Sequence, residues 1–361
     1  MRICYLYSMR IIVILFIWLL GCKPSSNQNT VAPKQETVDY FSNRNHGVIG
    51  DSAMVVSAHP EASKVGMAIL QQSGNAVDAA IAVQFALAVV YPNAGNIGGG
   101  GFMVTRMKDG SSNALDFREK APSKASRDMF INPANGEVNR KLIETSHLAS
   151  GVPGSVAGMW EAHQKYGSMD WKKLLQPAIE LAQKGFPITA HQAEDFNQLQ
   201  AELKQLNKGK NYFIKSKWNA NDTLIQTDLA TTLIAIRDKG RDGFYTGTVA
   251  EKIAAEMQQH NGIISTDDLK NYQAVWREPI KGTYKNYTII SMPPPSSGGI
   301  ALMQLLNMME NYPLKKWGFH SVNSVSIMTE AEKRVYADRA AWLGDPDFTK
   351  VPKNELISKS Y

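Results

Sequence analysis

Cysteine is almost absent from this sequence of 361 residues. The only two, Cys4 and Cys22, lie near the N-terminus, so the rest of the chain has no disulfide, no thiol nucleophile and no cysteine ligand for a metal. The seven histidines are scattered, without an HExxH motif or two histidines at helical spacing. We therefore expect no zinc site in the folded domain, and no cofactor.

A strong excess of one charge is also missing. The 39 lysines and arginines stand against 33 acidic residues, a net charge of +6 that falls to +4 without Arg2 and Arg10. No segment alternates basic and aromatic residues as an RNA-binding surface does. The small, dispersed excess argues against a nucleic-acid partner and against a polybasic membrane patch.

The longest apolar run has only ten residues, 11–20, and it follows Arg2 and Arg10. A helix needs about 20 apolar residues to cross a bilayer, whereas ten suit the core of a signal peptide. The run ends in LLGC, residues 19–22, which resembles a bacterial lipobox. We expect a lipoprotein signal peptide over 1–21, a lipidated Cys22, a polar tether over 22–45 and a functional domain over 46–361, anchored to a membrane in the periplasm or cell envelope. A plain secretory leader and a short uncleaved anchor are the alternatives.

Helix and strand patterns in the domain come in blocks, without the βαβ alternation of a doubly wound parallel sheet. Asn75 is a suitable N-cap for an apolar helix, Asp78 favours its first turn, and Pro92 stops it. Gly74 is expected to end the helix before it. The sequence predicts an α+β fold with helices near 60–72, 76–90, 171–184, 191–206, 228–238, 249–259, 298–309 and 322–342, and strands near 102–107, 114–118 and 287–292.

Two glycine-containing runs invite a functional interpretation. Residues 98–101, GGGG, match neither GxxxxGK[ST] nor a GxGxxG motif that opens a helix, so we expect a tight turn with positive φ angles and close packing rather than a phosphate cradle. In residues 154–158, GSVAG, the serine stands one place too early for a nucleophile elbow. Ser155 is therefore expected to cap the helix that follows.

Residues 296–299, SSGG, open a further helix. Backbone N–H groups at such a start suit an anion, and an ordinary capped helix after a proline-rich turn is the alternative. Both interpretations stay open at this point.

Arg118 ends the strand predicted over 114–118. A period of two places Leu115 and Phe117 on one face and Asp116 and Arg118 on the other. A guanidinium at the end of a strand is rigidly presented and suits a carboxylate ligand. The alternative is a surface arginine in a salt bridge with Asp116 or Glu119.

Several stretches together resemble the gamma-glutamyltransferase (glutathione hydrolase) family of N-terminal-nucleophile hydrolases. They are residues 58–63 (AHPEAS), 74–80 (GNAVDAA), 96–103 (NIGGGGFM), 116–122 (DFREKAP), 151–158 (GVPGSVAG), 292–299 (MPPPSSGG), 336–339 (YADR) and 343–348 (LGDPDF). Each is weak alone, but the ordered set spans nearly the whole domain and is highly specific.

The resemblance implies an αββα sandwich, incomplete here, made as a proenzyme that cleaves itself into a large and a small subunit. The N-terminal threonine of the small subunit attacks a γ-glutamyl amide such as that of glutathione, and water, an amino acid or a dipeptide then takes the acyl group. The family's Thr-Thr-His-like junction is not found; Thr231-Thr232-Leu233 does not match it. We therefore expect the nucleophile beyond Tyr361, no catalytic residue within this chain, and no turnover by the chain alone.

In the same resemblance, Arg118 matches the family's arginine that holds the α-carboxylate of the γ-glutamyl group, and Glu119 is a weaker candidate for orienting it. A planar guanidinium binds a carboxylate through two parallel hydrogen bonds, which lysine cannot do. Two other functions stay open. One is a non-catalytic lipoprotein that kept the scaffold for ligand binding, and the other is a related amidase acting on poly-γ-glutamate or a β-lactam side chain.

Overall fold

The structure is a computed structural model that describes residues 49–207 and 209–361. The predicted signal peptide, Cys22 and the tether over 22–45 lie outside these residues. Residues Ser52–Tyr361 form one compact unit. In the part of the chain that is described, no helix combines the length and the apolar content that a bilayer crossing requires.

Helices are the main regular elements of the described chain. In chain order they are α1 (Pro60–Gln71), α2 (Ala76–Val90), α3 (Arg140–Thr145), α4 (Ser155–Tyr166), α5 (Trp171–Lys184), α6 (Ala190–Gln198), α7 (Gln200–Leu206), α8 (Thr227–Lys239), α9 (Asp242–Tyr245), α10 (Gly247–Gln259), α11 (Thr266–Asn271), α12 (Gly298–Met309), α13 (Leu314–Trp317), α14 (Val322–Trp342) and α15 (Lys353–Leu356). A short 3-10 turn, His147–Ala149, precedes α4.

The strands are short and antiparallel. They are β1 (Phe102–Arg106), β2 (Ser112–Asp116), β3 (Phe186–Pro187), β4 (Thr223–Leu224), β5 (Val275–Arg277), β6 (Ile280–Tyr284) and β7 (Tyr287–Ser291). β2 is central in a sheet ordered β1-β2-β5, and its register places Ala114 opposite Arg277. β3 pairs with β4, and β6 forms a hairpin with β7.

Helix α2 is the centre of the core. It packs against α1, α4 and α5, and α5 packs against α8. The predicted apolar sequence of α2 explains this position, because a helix that is apolar on all of its sides is stable only when its neighbours cover it. Asn75 and Asp78 form a capping box at its start, where the Asn75 Oδ1 accepts from the Asp78 N–H at 2.9 Å and the Asp78 Oδ2 accepts from the Asn75 N–H at 3.0 Å.

Two local predictions need correction. The left-handed residue at the end of α1 is Ser73, with φ +69°, and not Gly74. Gly74 is needed for close packing instead, since a Cβ there would lie 2.6 Å from Ile69. The helix predicted over 191–206 is divided into α6 and α7, and the side-chain amide of Gln200 donates to the carbonyls of Phe196 and Phe213 at this break.

Candidate functional site

The glycine turn over 98–101 packs directly against the end of β2. Gly101 and Phe117 exchange two backbone hydrogen bonds of 3.2 and 3.0 Å. A Cβ on Gly100 would lie 2.5 Å from the carbonyl oxygen of Phe117, which leaves no space for a side chain. The predicted tight turn is confirmed, but its physical reason is different. None of these four glycines has a positive φ; Gly100 and Gly101 are required for close approach to Phe117 instead.

The same turn holds the start of α4. The Gly99 carbonyl accepts from the N–H groups of Gly154 and Ser155 at 2.8 and 3.0 Å. The prediction that Ser155 is the N-cap is wrong: Gly154 occupies that position, and Ser155 is the first residue of the helix. Because the Gly99 carbonyl already takes these N–H groups, no capping side chain is required. The buried Ser155 hydroxyl has no hydrogen-bond partner within the described residues.

Arg118 lies two residues beyond the end of β2, with its backbone fixed on both sides. Its N–H donates to the Asp116 Oδ1 at 3.1 Å, and its carbonyl accepts from the Tyr272 hydroxyl at 2.7 Å. Burial raises the pKa of Tyr272, so this hydroxyl stays protonated and available as a donor. The Arg118 side chain is exposed, and no residue in 49–207 or 209–361 forms an ion pair or hydrogen bond with its guanidinium.

Arg118 forms no salt bridge with Asp116, because Arg277 occupies that position. The Arg277 Nε donates to the Asp116 Oδ2 at 2.9 Å, and its two terminal nitrogens donate to the Asp347 carboxylate at 2.9 and 2.8 Å. Asp347, followed by Asp116, raises the pKa of Arg277 above its usual value despite burial. Asp116 is therefore buried, with one oxygen on Arg277 and the other on the Arg118 backbone, instead of sharing an exposed face with Arg118 as the strand pattern predicts.

The Glu119 carboxylate lies over the glycine turn. A Cβ on Gly100 would be 2.9 Å from the Glu119 Oε2, and one on Gly99 would be 3.3 Å from Oε1. Within the described part of the chain, Glu119 forms no ion pair with Arg118. Its predicted role in orienting that arginine stays a prediction.

Arg118 lines a cavity of about 690 Å³. The cavity is also lined by Ser296 and Ser297 at the start of α12 and by Arg339 from α14, whose Nε donates to the Ser297 Oγ at 3.2 Å. Ser297 does not cap α12 through its side chain, while the Ser296 Oγ accepts from the Gly298 N–H at 3.3 Å. Arg118 and Arg339 have no carboxylate partner among the described residues, and Glu119 and Asp345 line the same cavity, which therefore presents charges of both signs. The two guanidinium groups suit the carboxylate of a ligand.

Comparison with known proteins places this chain in a family. A family model for gamma-glutamyltranspeptidase matches residues 62–361. The chain belongs to the gamma-glutamyltranspeptidase family. The glutathione hydrolase proenzyme of Escherichia coli (strain K12) is 50% identical over 319 residues, which cover 88% of this chain and 55% of the relative. The chain thus spans about half the length of the curated relatives that it matches.

Solved gamma-glutamyltranspeptidase structures share the fold. The Helicobacter pylori structure matches with a TM-score of 0.84 at 45% identity, covering 87% of this chain and 90% of that chain. The Pseudomonas nitroreducens structure, complexed with L-DON, matches with a TM-score of 0.80 at 43% identity, covering 87% and 93%. The predicted family and the α+β fold of the N-terminal-nucleophile hydrolase type are confirmed.

Two residues that hold the Arg118 segment, Arg277 and Asp347, are missing from the sequence prediction. Arg277 reaches Asp116 because β5 pairs with β2 across 161 positions, and no local pattern announces that pairing. Asp347 had a usable signal, since it lies in the LGDPDF run that carries part of the family resemblance.

Proposed function

We propose that the full-length protein is a gamma-glutamyl hydrolase/transferase that acts on glutathione and related γ-glutamyl compounds. The likeness to glutathione hydrolase proenzymes supports this activity and supports processing into two subunits. In this proposal the threonine nucleophile lies beyond Tyr361, and this chain supplies the groove that holds the glutamyl group.

Arg118 binds the α-carboxylate of the γ-glutamyl group in this proposal. The observation that carries it is a guanidinium at the cavity with no ion-pair or hydrogen-bond partner in the described residues, on a backbone that Asp116 and Tyr272 fix. The fixed backbone sets the position from which the side chain extends, and its guanidinium can form two charged hydrogen bonds with one carboxylate. Arg277 and Asp347 act through Asp116 as positioning residues, because they hold the carboxylate that orients the Arg118 backbone.

The reaction then requires little of this chain beyond orientation. With the α-carboxylate held at Arg118, the γ-carbonyl is presented to the threonine hydroxyl of the small subunit. The threonine α-amine takes the hydroxyl proton, the acyl-enzyme forms, and the amine of the leaving group departs with a proton. Water, an amino acid or a dipeptide then takes the acyl group by the same route. Holding the substrate in one orientation is worth several kcal/mol of the barrier.

The test is the substitution Arg118→Lys in the full-length protein, measured with γ-glutamyl-p-nitroanilide. Losing a bidentate charged contact costs on the order of 1.5–3 kcal/mol, so kcat/KM should fall about 10- to 100-fold while self-cleavage continues. Arg106→Lys is the matched control, because Arg106 is an exposed arginine of the same sheet that does not line the cavity. An unchanged kcat/KM in Arg118→Lys, or an equal loss in Arg106→Lys, would refute the assignment.

Parallel assays of self-cleavage and of turnover with poly-γ-glutamate and a β-lactam substrate separate the two other functions. A scaffold lipoprotein would show neither self-cleavage nor turnover of any amide. A related amidase would cleave poly-γ-glutamate or a β-lactam side chain in clear preference to the γ-glutamyl anilide.

We also propose that Cys22 carries a lipid that anchors the protein in the cell envelope. The support is the position of Cys22 at the end of the apolar run, in a sequence that resembles a lipobox. Cys22→Ser should abolish incorporation of labelled palmitate in cells, while Cys4→Ser should leave it unchanged. Labelling that persists in Cys22→Ser would exclude the anchor.

A further inference from the structure

Three side chains that can bind a metal ion lie close together on the surface, at the end of α10. Glu256 and His260 lie one turn apart on this helix and its C-cap, and His147 reaches them from the 3-10 turn before α4. The Glu256 Oε1 lies 3.2 Å from the His147 Nε2 and 3.4 Å from the His260 Nε2. The two imidazole rings are stacked, with centroids 4.7 Å apart.

We propose that His147, Glu256 and His260 form a binding site for a divalent transition-metal ion of the zinc type. All three ligand atoms lie within 4.8 Å of one another. In a tetrahedral zinc site with bonds of about 2.0–2.1 Å, neighbouring ligand atoms are about 3.3 Å apart, close to both measured separations. Two imidazole nitrogens and one carboxylate oxygen are also the ligand types that zinc accepts.

The local backbone brings His147 close to the end of α10. Asn261 adopts a left-handed conformation, with φ +60°, and turns the chain immediately after the helix. Gly262 follows, and a Cβ there would lie 3.0 Å from the His147 Cβ and 2.5 Å from the Met257 Sδ. A side chain at this position would crowd His147, so Gly262 favours the close approach of His147 to the end of α10.

The site is open to solvent on one side. The side chains of His147, Glu256 and His260 are 34%, 57% and 36% exposed, which gives an ion direct access. Three protein ligands leave a fourth position for water. None of the three residues lines the cavity around Arg118, so the ion does not take part in the proposed γ-glutamyl chemistry.

The ion therefore has a structural effect, and the inference does not depend on the proposed function. It cross-links α10 to the segment that leads into Val152. Val152 in turn exchanges hydrogen bonds of 2.8 and 3.2 Å with Lys120, two residues after Arg118. An ion that binds the folded chain in preference to the unfolded chain raises its stability in proportion to the logarithm of the ion concentration.

The test is a calorimetric titration of the tag-free, metal-stripped protein with ZnCl2. We expect one Zn²⁺ per chain, and we expect His147→Ala, Glu256→Gln and His260→Ala each to weaken binding by at least about tenfold, since even outer-shell changes cost 10- to 100-fold. His191→Ala is the matched control. It removes a histidine that lies 3.7 Å from Asp195 on one helix but has no third ligand, and binding should not change.

Thermal unfolding gives a second readout. Zn²⁺ should raise the Tm of the wild type and of His191→Ala, and it should not raise the Tm of the three ligand variants. Melting curves without Zn²⁺ show which variants fold, and Glu256→Gln keeps the size of the side chain. A wild type that takes up no stoichiometric Zn²⁺, or ligand variants that bind it as the wild type does, would mean that these side chains form only a hydrogen-bonded cluster and would overturn the proposal.

Discussion

The two halves of the described chain bury apolar surface very differently. Residues 52–277 share one large core around α2, which buries residues on all of its sides. Residues 280–361 have a second cluster of four buried residues, namely Ile280, Ile300, Met303 and Leu356. Helix α14 is the longest described helix, yet of its 21 residues only Ser324, Ala331 and Val335 are buried.

The apolar residues of α14 show what this difference means. Among its exposed side chains are Val322, Val325, Met328, Tyr336 and Trp342. Where exposed apolar residues form a contiguous patch, they mark an interaction surface. Under the proposed function, the small subunit is the expected cover. The first half thus buries most of its apolar residues within the chain, whereas the second half leaves more of them exposed.

The largest effect is expected in the core of the first half. Phe85 is 1% exposed and packs edge-to-face on Trp171, with ring centroids 5.6 Å apart. Phe85→Ala should lower the free energy of unfolding by about 3–5 kcal/mol, through lost burial and a cavity that α2 and α5 cannot close. Urea unfolding followed by circular dichroism measures it. A loss below about 1 kcal/mol would show that this core is loosely packed.

Arg277 joins the two halves, and its removal should have the next largest effect. Arg277→Gln leaves the Asp116 carboxylate, 8% exposed, without its charged partner and breaks the link to Asp347. Removing one partner of a buried ion pair costs about 3–5 kcal/mol, and we expect about 2–3 because the Asp347 side is open to water. The same urea titration applies.

Arg334→Gln is the matched control for this substitution. Arg334 pairs with Glu330 at side-chain exposures of 67% and 50%, where an ion pair contributes little. Equal losses in the two variants would show that Arg277 is no more than a surface contact.

Local signals explain the parts of the fold that the sequence predicted. The bounds of α2, α5, α12 and α14 agree with prediction, because caps and breakers such as Asn75 and Pro92 act within a few residues. The strands β5 and β6 are missing from the prediction. β5 has three residues and no alternating pattern, and it is defined by pairing with β2, more than 150 residues earlier.

The same division applies to the site. Arg118 was found through a run of motif residues, whereas Arg277 and the His147–Glu256–His260 group exist only after distant segments meet. Histidine spacing in the sequence does not reveal this group, because His147 and His260 are 113 positions apart. Contacts between residues that are distant in the sequence are therefore the part of the site that local patterns do not predict.

A smaller effect is expected where α11 supports the Arg118 segment. The Asp268 carboxylate accepts from the N–H of Ser123 at 2.8 Å and from the N–H and hydroxyl of Ser265 at 2.9 and 2.7 Å. Burial, the largest single effect, raises the pKa of Asp268, but the hydrogen bonds from Ser265 and Ser123 outweigh it and lower the pKa from 3.8 to about 2. The ionised form is therefore stabilised by folding.

The sign of the pH dependence follows. Asp268 contributes stability above its unfolded pKa, and this contribution disappears as the pH falls from about 4 to about 2. Asp268→Asn should lower the free energy of unfolding by about 1–2 kcal/mol at neutral pH, a modest value because the side chain is partly exposed, and the difference should vanish near pH 2. Asp267→Asn, next to it, is the control. A difference between Asp268→Asn and the wild type that persists unchanged at pH 2 would contradict this account.

The smallest effect is expected on the outer face of α14, where the comparison between the halves is most direct. Val325 is 49% exposed and Val89 in α2 is 0% exposed, so the same substitution to serine tests both surfaces. In the 361-residue chain, Val325→Ser should change the free energy of unfolding by no more than about 0.5 kcal/mol, whereas Val89→Ser should cost more than about 2 kcal/mol. If a small subunit covers α14 in the full-length protein, Val325→Ser should cost clearly more there than in the shorter chain. An equally small effect in both proteins would show that α14 stays in water, and the second half would then need no partner to complete it.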